Sequence, residues 1–416
     1  MRILVFGINY APDLTGIGKY TGEMCSYLAG QGHQVTMVTA HPYYPQWELA
    51  DGYPRYSWKT EIIDGVTVER CPLYIPQDPS ALRKVLHEIS FFGTIFPVWL
   101  KLLFKKKFDY VICLNPPFHL TIYPLLVKWF RGSKMISHVQ DLQVDVVNDL
   151  ELLKSNALIN LMFTFEKFYF DQSDVVSTIS LGMERKIASK GIAKEKQWLF
   201  PNWVDINFIT PLSKEESLRS RFGLDLTDKV ILYSGNMGEK QGLEQILDVA
   251  LKFRQQPDIQ FVIVGNGGAK KRLEEAAVKM GLDNVRFFPL QPYEDLSRLL
   301  AVADVHLVLQ KKEASDLVMP SKLTGILSAG GLALITAVEG TSLYDVVHEH
   351  HMGVLIEPGS VEALYEGIVE CLHSTDSEQI KANAREYALR FLAKDAVLGS
   401  FEEKLLTGLS QRKLVM

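Results

Sequence analysis

Val230-Ile231-Leu232-Tyr233, then Ser234-Gly235-Asn236-Met237-Gly238-Glu239-Lys240-Gln241-Gly242, then Leu243-Glu244-Gln245-Ile246-Leu247-Asp248-Val249-Ala250-Leu251 follow one another in mid-chain, and their reading decides the fold. The first four residues read as a buried parallel strand. Leu243, Ile246, Leu247, Ala250 and Leu251 recur at the spacing of the apolar stripe of a helix. Between them, three glycines, a short polar side chain and a lysine let the backbone approach a ligand closely. The helix that follows offers free N–H groups and a positive dipole end. Such a turn serves a phosphate or a plain tight connection. Its position favours the phosphate, because it opens a second run of alternating strands and helices and a similar loop opens the chain itself.

The surrounding chain has room for two domains. At 416 residues it exceeds what one hydrophobic core usually supports. Apolar residues at 47% and charged residues at 22% suit a globular protein and exclude long disorder. A net charge of -5 gives no reason to expect nucleic acid as a partner. Cys25, Cys71, Cys113 and Cys371 stand singly, without metal-ligand or redox spacing, which suits a reducing cytoplasm. The opening residues 1–7 are too short and too soon broken for a signal peptide and read as a first strand.

From that strand, residues 9–18 form a loop containing Gly16 and Gly18, and a helix follows with Tyr20, Met24, Tyr27 and Leu28 on one face. Gly30 and Gly32 close it before a strand at residues 35–38. This βαβ unit lacks a dinucleotide fingerprint, so no nicotinamide cofactor is indicated. Residues 41–80 are rich in Pro, Tyr and Trp with little periodicity, and read as a flap or as the wall of a cleft. Tyr43, Tyr44 and Trp47 would suit the apolar faces of a sugar acceptor.

Residues 83–107 change character: a broken aromatic and aliphatic run sits among Arg83, Lys84, Lys101, Lys105, Lys106 and Lys107, opposed only by Glu88. The run is too short for a clear membrane span. It fits a helix lying on an anionic bilayer surface or a helix packed on the first sheet. Further apolar runs at residues 110–114, 135–136, 175–179 and 198–200 each deliver polar groups at their carboxyl ends. Together these line an edge with His138, Gln140, Asp141, Ser180 and Asn202. After a polar linker at residues 205–229, the pattern repeats with strands at 230–233, 261–264, 285–288, 305–309 and 332–335.

Taken in order, the loop at residues 12–18, Gly32-His33-Gln34-Val35-Thr36, Pro201-Asn202-Trp203-Val204-Asp205, Gly235-Asn236 with Gln241-Gly242, Val264-Gly265-Asn266-Gly267 and Pro320-Ser321-Lys322 resemble the motif series of the family 4 glycosyltransferases. The resemblance runs over nearly the whole chain. Asn9-Tyr10, residues 16–22 and Tyr43-Tyr44-Pro45-Gln46-Trp47 are most similar to a branch that acts in bacterial exopolysaccharide assembly with fucose as the sugar. It implies an α/β chain of GT-B architecture, two Rossmann-like doubly wound domains facing across a cleft. Residues 1–204 would bind the acceptor, residues 205–385 the nucleotide sugar, and helices in 386–416 would cross back.

The resemblance further implies a retaining hexosyl transfer without metal or resident cofactor, from a GDP- or UDP-linked sugar to a lipid-linked saccharide. The enzyme would work in the cytoplasm, on the inner leaflet of the membrane, which residues 83–107 would touch. The donor would rest on Gly16, Gly18, Gly235, Asn236, Gln241, Gly265, Asn266, Leu290, Pro320, Ser321 and Leu323, with Lys240 or Lys322 as the cation. Asp141 would face the sugar with His138 beside it, and Tyr43, Tyr44, Trp47 and Gln140 would meet the acceptor.

Three departures stand out. Asn236 and Gln241 replace a usual arginine and lysine. The usual pair of glutamates falls on Leu317 and Gly325, leaving Asp316 or Glu313 for the ribose. Gln140 replaces a usual histidine. Two other readings fit the same residues: a non-catalytic nucleotide-sugar-binding protein, motivated by the missing glutamates, and a nucleotide-sugar epimerase using His138, Asp141 and Asp316.

Overall fold

Parallel strands form where the sequence carries its unbroken apolar runs, as expected of strands covered on both faces. The computed structural model describes residues 1–12, 16–44, 46–77, 80–149, 155–312 and 320–415. They divide into two units, Met1–Pro201 with Leu398–Met416, and Asn202–Val397.

Unit 1 holds β1 (Arg2–Phe6), β2 (Gln34–Ala40), β3 (Lys59–Ile63), β4 (Val66–Cys71), β5 (Tyr110–Asn115), β6 (Lys134–Val139), β7 (Val175–Thr178) and β8 (Gln197–Leu199). Their order is β3-β4-β2-β1-β5-β6-β7-β8, and every pair is parallel except β3 with β4. Helices α1 (Gly16–Gly30), α2 (Ala81–Leu103), α3 (Ile122–Arg131), α4 (Gln143–Asp149), α5 (Asn156–Gln172) and α6 (Leu181–Ser189) connect them. One expectation changes here. Residues 41–80 are not one loop, because β3 and β4 form an antiparallel hairpin inside them; Asp64 at φ 47° and Gly65 at φ 79° make its two-residue turn. The basic aromatic window falls largely in α2, whose Phe91, Ile95, Val98, Trp99 and Leu102 enter the core over β4 and β2, the packed reading of the two weighed for it.

Unit 2 holds β9 (Lys229–Ser234), β10 (Ile259–Val264), β11 (Val285–Phe288), β12 (Val305–Val308), β13 (Ala333–Thr336) and β14 (Val354–Ile356), all parallel in the order β11-β10-β9-β12-β13-β14. The order reverses between β9 and β12, the place where open sheets bind ligands at their carboxyl edge. Helices α7 (Glu244–Lys252), α8 (Lys270–Met280), α9 (Leu296–Leu300), α10 (Ser321–Ser328), α11 (Ser342–His350), α12 (Val361–His373) and α13 (Ser377–Tyr387) cover the two faces. In α7, Ile246, Leu247 and Ala250 are buried as the stripe predicts, but Leu251 is exposed and Val249 takes its place, because α12 packs against α7.

The polar stretch read as a linker is built into unit 2. Leu218, Phe222 and Leu224 join the core beside β9 and β10. Arg219 is buried, with Nε donating to Val302 O at 3.0 Å, Nη1 to Asp228 O at 2.8 Å and Nη2 to Asp304 Oδ2 at 2.6 Å. The last helix, α14 (Lys394–Val415), begins in unit 2 and from Leu398 onward belongs to unit 1. There Phe401 stacks on Phe200 at 4.0 Å, and Tyr110 donates its hydroxyl to Leu405 O at 2.8 Å.

Candidate functional site

In unit 2 the loops after β9 and β10 pair backbone to backbone. Gly235 N donates to Val264 O at 2.9 Å and Met237 N to Asn266 O at 2.8 Å. A Cβ on Gly265 would lie 2.0 Å from Gly235 O, and one on Gly267 2.4 Å from Met237 O. Only glycine fits, at φ 146° and 152°. These contacts bring Gly235, Asn236, Gly265 and Asn266 to one edge, with the side chains of Asn236 and Asn266 exposed.

Lys322 enters this edge from α10, whose first turn is preceded by Pro320. Its Nζ lies 3.5 Å from the Tyr233 ring centroid and would stand 3.1 Å from a Cβ on Gly235. It is buried and has no hydrogen-bond partner among the described residues. Burial pulls its pKa down to about 7. Among the described residues no carboxylate meets this ammonium, which has an aromatic face on one side and glycine backbone on the other, and a phosphate is a ligand chemistry that would supply the counter-charge. Ser321 is exposed beside it, and Leu290 is exposed on the turn after β11.

Three donor-edge residues behave otherwise than the sequence suggests. Leu323 is fully buried in the core with Val308 and Ile335, because its place in the first turn of α10 points it at the sheet. Gln241 turns back on its own loop, its Oε1 accepting from Gly238 N at 3.1 Å. Gly325, at the place of the ribose-binding glutamate, faces Leu300 and Ile209, so a carboxylate there would meet apolar groups. The side chain of Lys240 and all of Asp316, Glu313 and Leu317 lie outside the described residues. Sequence reasoning missed Lys311 and Gln310, which follow β12. The Lys311 side chain would touch a Cβ on Gly242 at 3.4 Å, and Gln310 Nε2 is buried without a partner among the described residues. Their signal was position alone, just beyond an apolar run.

In unit 1, Gly16 opens α1 at φ 59° with no atom of the described residues within 4 Å of where its Cβ would stand, while Gly18 is buried. The loop before α1 is anchored by Arg70, buried in β4, whose guanidinium donates to Ala40 O at 3.0 Å, to Ala11 O and to Glu61 Oε1 at 2.8 Å. His138 does not reach the edge. Gln140 Nε2 donates to its Nε2 at 2.9 Å, its Nδ1 lies 2.9 Å from Ser177 Oγ, and burial drives its pKa down to about 3. Both ring nitrogens are thus engaged inside the core, and the Gln140 amide with them. Asp141, by contrast, lines a small cavity with Asn115, Phe118, Gln143 and Glu166.

Beside that cavity, burial pushes the Glu88 carboxyl up to about 7 despite a hydrogen bond to Gln143 and the charge of Lys84. Its Oε2 lies 4.0 Å from His119 Nδ1. Among the aromatic candidates, Tyr43 is buried, its ring edge-on to His87 at 4.6 Å and to Trp47 at 5.5 Å. Tyr43 is therefore core, while Tyr44 is exposed and Trp47 half-buried.

Two doubly wound units, each with its polar loops at the carboxyl edge of a parallel sheet, define the GT-B class of architecture. Solved structures agree: a sucrose-phosphate synthase from Thermosynechococcus elongatus superposes with a TM-score of 0.77 at 17% identity, covering 100% of this chain and 99% of that one. Anabaena Alr3699/HepE, solved with UDP and glucose, gives a TM-score of 0.71 at 15% identity, covering 98% and 100%. The chain belongs to the glycosyltransferases: residues 15–203 match the glycosyl transferase 4-like domain and residues 214–387 match glycosyl transferases group 1. It is 44% identical over 408 residues, 96% of this chain and 98% of the relative, to Escherichia coli (strain K12) WcaI, provisionally named a colanic acid biosynthesis glycosyl transferase.

Proposed function

We propose that this glycosyltransferase moves a sugar, with fucose as the first candidate, from a nucleoside diphosphate donor to a lipid-linked saccharide in the assembly of a colanic-acid-type exopolysaccharide. The donor diphosphate sits on the glycine edge of unit 2. The observation that carries this reading is Lys322 Nζ, buried against Gly235 and the Tyr233 ring without a hydrogen-bond partner among the described residues. Family membership and the name of the 44% identical relative support the polymer class.

In the proposed transfer, Lys322 and the loop amides neutralise charge as the bond from sugar C1 to the phosphate oxygen breaks. The acceptor hydroxyl attacks C1 on the same face, giving retention, and its proton passes to the departing phosphate oxygen. Asp141 faces the sugar, and Tyr44 and Trp47 line the acceptor's path. No divalent ion takes part, so excess chelator leaves turnover unchanged. The first sheet's helix α2 holds the enzyme at the inner face of the cell membrane, where a lipid-linked acceptor is presented.

Thermal shifts with GDP, UDP and ADP, followed by transfer assays with the matching labelled sugar, test the reading. Selective stabilisation by GDP or UDP is expected, because a ligand bound only by the folded state raises the melting temperature. No response to any nucleoside diphosphate, or turnover abolished by chelator, would falsify it.

A further inference from the structure

We infer that the membrane contact is not α2 alone but a platform of three neighbouring helices, α2, α3 and α5, seated on an anionic lipid bilayer. This rests on the reading of α2 given above and extends it to two elements the sequence did not single out.

Helix α2 is apolar on both sides. Its inner residues fill the core, while Leu86, Ile89, Phe96 and Leu100 form an exposed stripe along its length. Residues Leu82–Leu103 are long and apolar enough to cross a bilayer. Crossing would strip Phe91, Ile95, Val98, Trp99 and Leu102 from the sheet, so the helix lies in the plane of the interface instead.

Helix α3 lies beside it, joined by Tyr123 donating to Phe92 O at 2.7 Å and Arg131 to Lys105 O at 2.9 Å, and ends in Trp129, 54% exposed, and Phe130, 66% exposed. On the other side of α3, Lys128 donates to Gln172 O at the end of α5 at 2.6 Å. Helix α5 carries Leu158, Leu161, Phe165 and Phe168 on one outward face, exposed by 42% to 50%. That face holds no ionised group between Asn156 and Phe165; Lys167 and Asp171 beyond it pair with each other. A water-facing helix carries charge on its outer side, and this one carries leucine and phenylalanine.

The rim decides what covers these faces. Arg83 and Lys84 stand at one end of α2, and Lys106, Lys107 and Arg131 at the other. A second copy packed face to face would bring like-charged ends together, whereas anionic headgroups complement them.

Sedimentation with phosphatidylethanolamine–phosphatidylglycerol vesicles and with phosphatidylcholine vesicles tests the platform, using the full chain, F96E/L100E on α2 and L161E/F165E on α5. The parent chain is expected to pellet with the anionic vesicles, and each double variant to lose about 10-fold in partitioning. Scanning calorimetry on every variant reads the nucleotide-insensitive transition of unit 1, and a transition kept within a few degrees of the parent's reports that the substituted helices are still folded. If L161E/F165E partitions like the parent while F96E/L100E does not, α2 acts alone and the platform is refuted. If the parent chain binds no vesicle, both fall. A solution dimer with Leu161 and Phe165 protected from solvent also overturns the proposal.

Discussion

A lysine ammonium enclosed by an aromatic ring and glycine backbone, as Lys322 is, weakens the empty protein and prepares it for an anion. Its folded pKa of about 7 lies below its ordinary 10.5, so between those values the unfolded chain holds a proton that the folded chain does not. Stability therefore rises with pH across that window, and the full penalty applies below pH 7. Lys322→Met is expected to raise the melting temperature of the empty protein at about pH 6 and to weaken GDP or UDP binding at least ~10-fold. Calorimetry with and without nucleotide reads both, and unchanged affinity would remove Lys322 from the phosphate site.

Glu88 has the opposite sign: its carboxyl is raised from 4.5 to about 7, so the stability it contributes is whole at low pH and is lost as pH climbs through 7. Glu88→Gln keeps the reach to Gln143 and is expected to gain ~1–2 kcal/mol at about pH 8 and nothing at about pH 4. Urea titrations at the two pH values check this, and an equal effect at both would deny the shift. Lys322 was legible in sequence because Pro-Ser-Lys stands at a helix start. The engagement of His138 was not, because β6 is covered on both faces and its sequence does not show which way a side chain turns.

At the scale of elements, the two glycine loops act as one object. Neither Gly265 nor Gly267 can carry a side chain without pushing the loop after β9 away from the loop after β10. Gly267→Ala is expected to cost ~2–4 kcal/mol in unit 2 and to abolish the nucleotide thermal shift, since both backbone strain and overlap with Met237 O resist it. A variant with the parent's stability and nucleotide response would show that the loops tolerate separation. The strand–glycine–helix order of this region could be read directly, because an unbroken apolar run and a 3.6-residue stripe differ in period. The hairpin of β3 and β4 is equally legible in Asp64-Gly65, a two-residue turn signal, although the aromatic residues around it carry no strand period. The strap at residues 205–229 was not available. Its polar composition hides Arg219, whose buried charge is met by the nearby carbonyls of Asp225 and Asp228 and, from far along the chain, by Val302 O and the Asp304 carboxylate.

For the whole molecule, the repeated alternation of strands and helices was enough to count two doubly wound sheets, because each sheet needs helices on both faces. What alternation cannot show is that the chain's last helix completes the first unit rather than the second. Nothing local in residues 394–415 says which core its apolar groups will meet. The structure gives α14 a structural role in unit 1: Phe401 stacks on Phe200, Lys404 donates to Leu199 O at 3.2 Å, and His33 Nε2 lies 2.9 Å from Glu402 Oε1. Phe401→Ala is therefore expected to destabilise unit 1 by ~3–5 kcal/mol, the cost of emptying an aromatic site in a core. Unit 2 should keep its own melting transition and its nucleotide-induced shift, because units with separate cores unfold separately unless a large interface couples them. Scanning calorimetry with and without GDP or UDP separates the two transitions. If the nucleotide-sensitive transition falls with the other, the units melt as one body and α14 couples them rather than serving unit 1 alone.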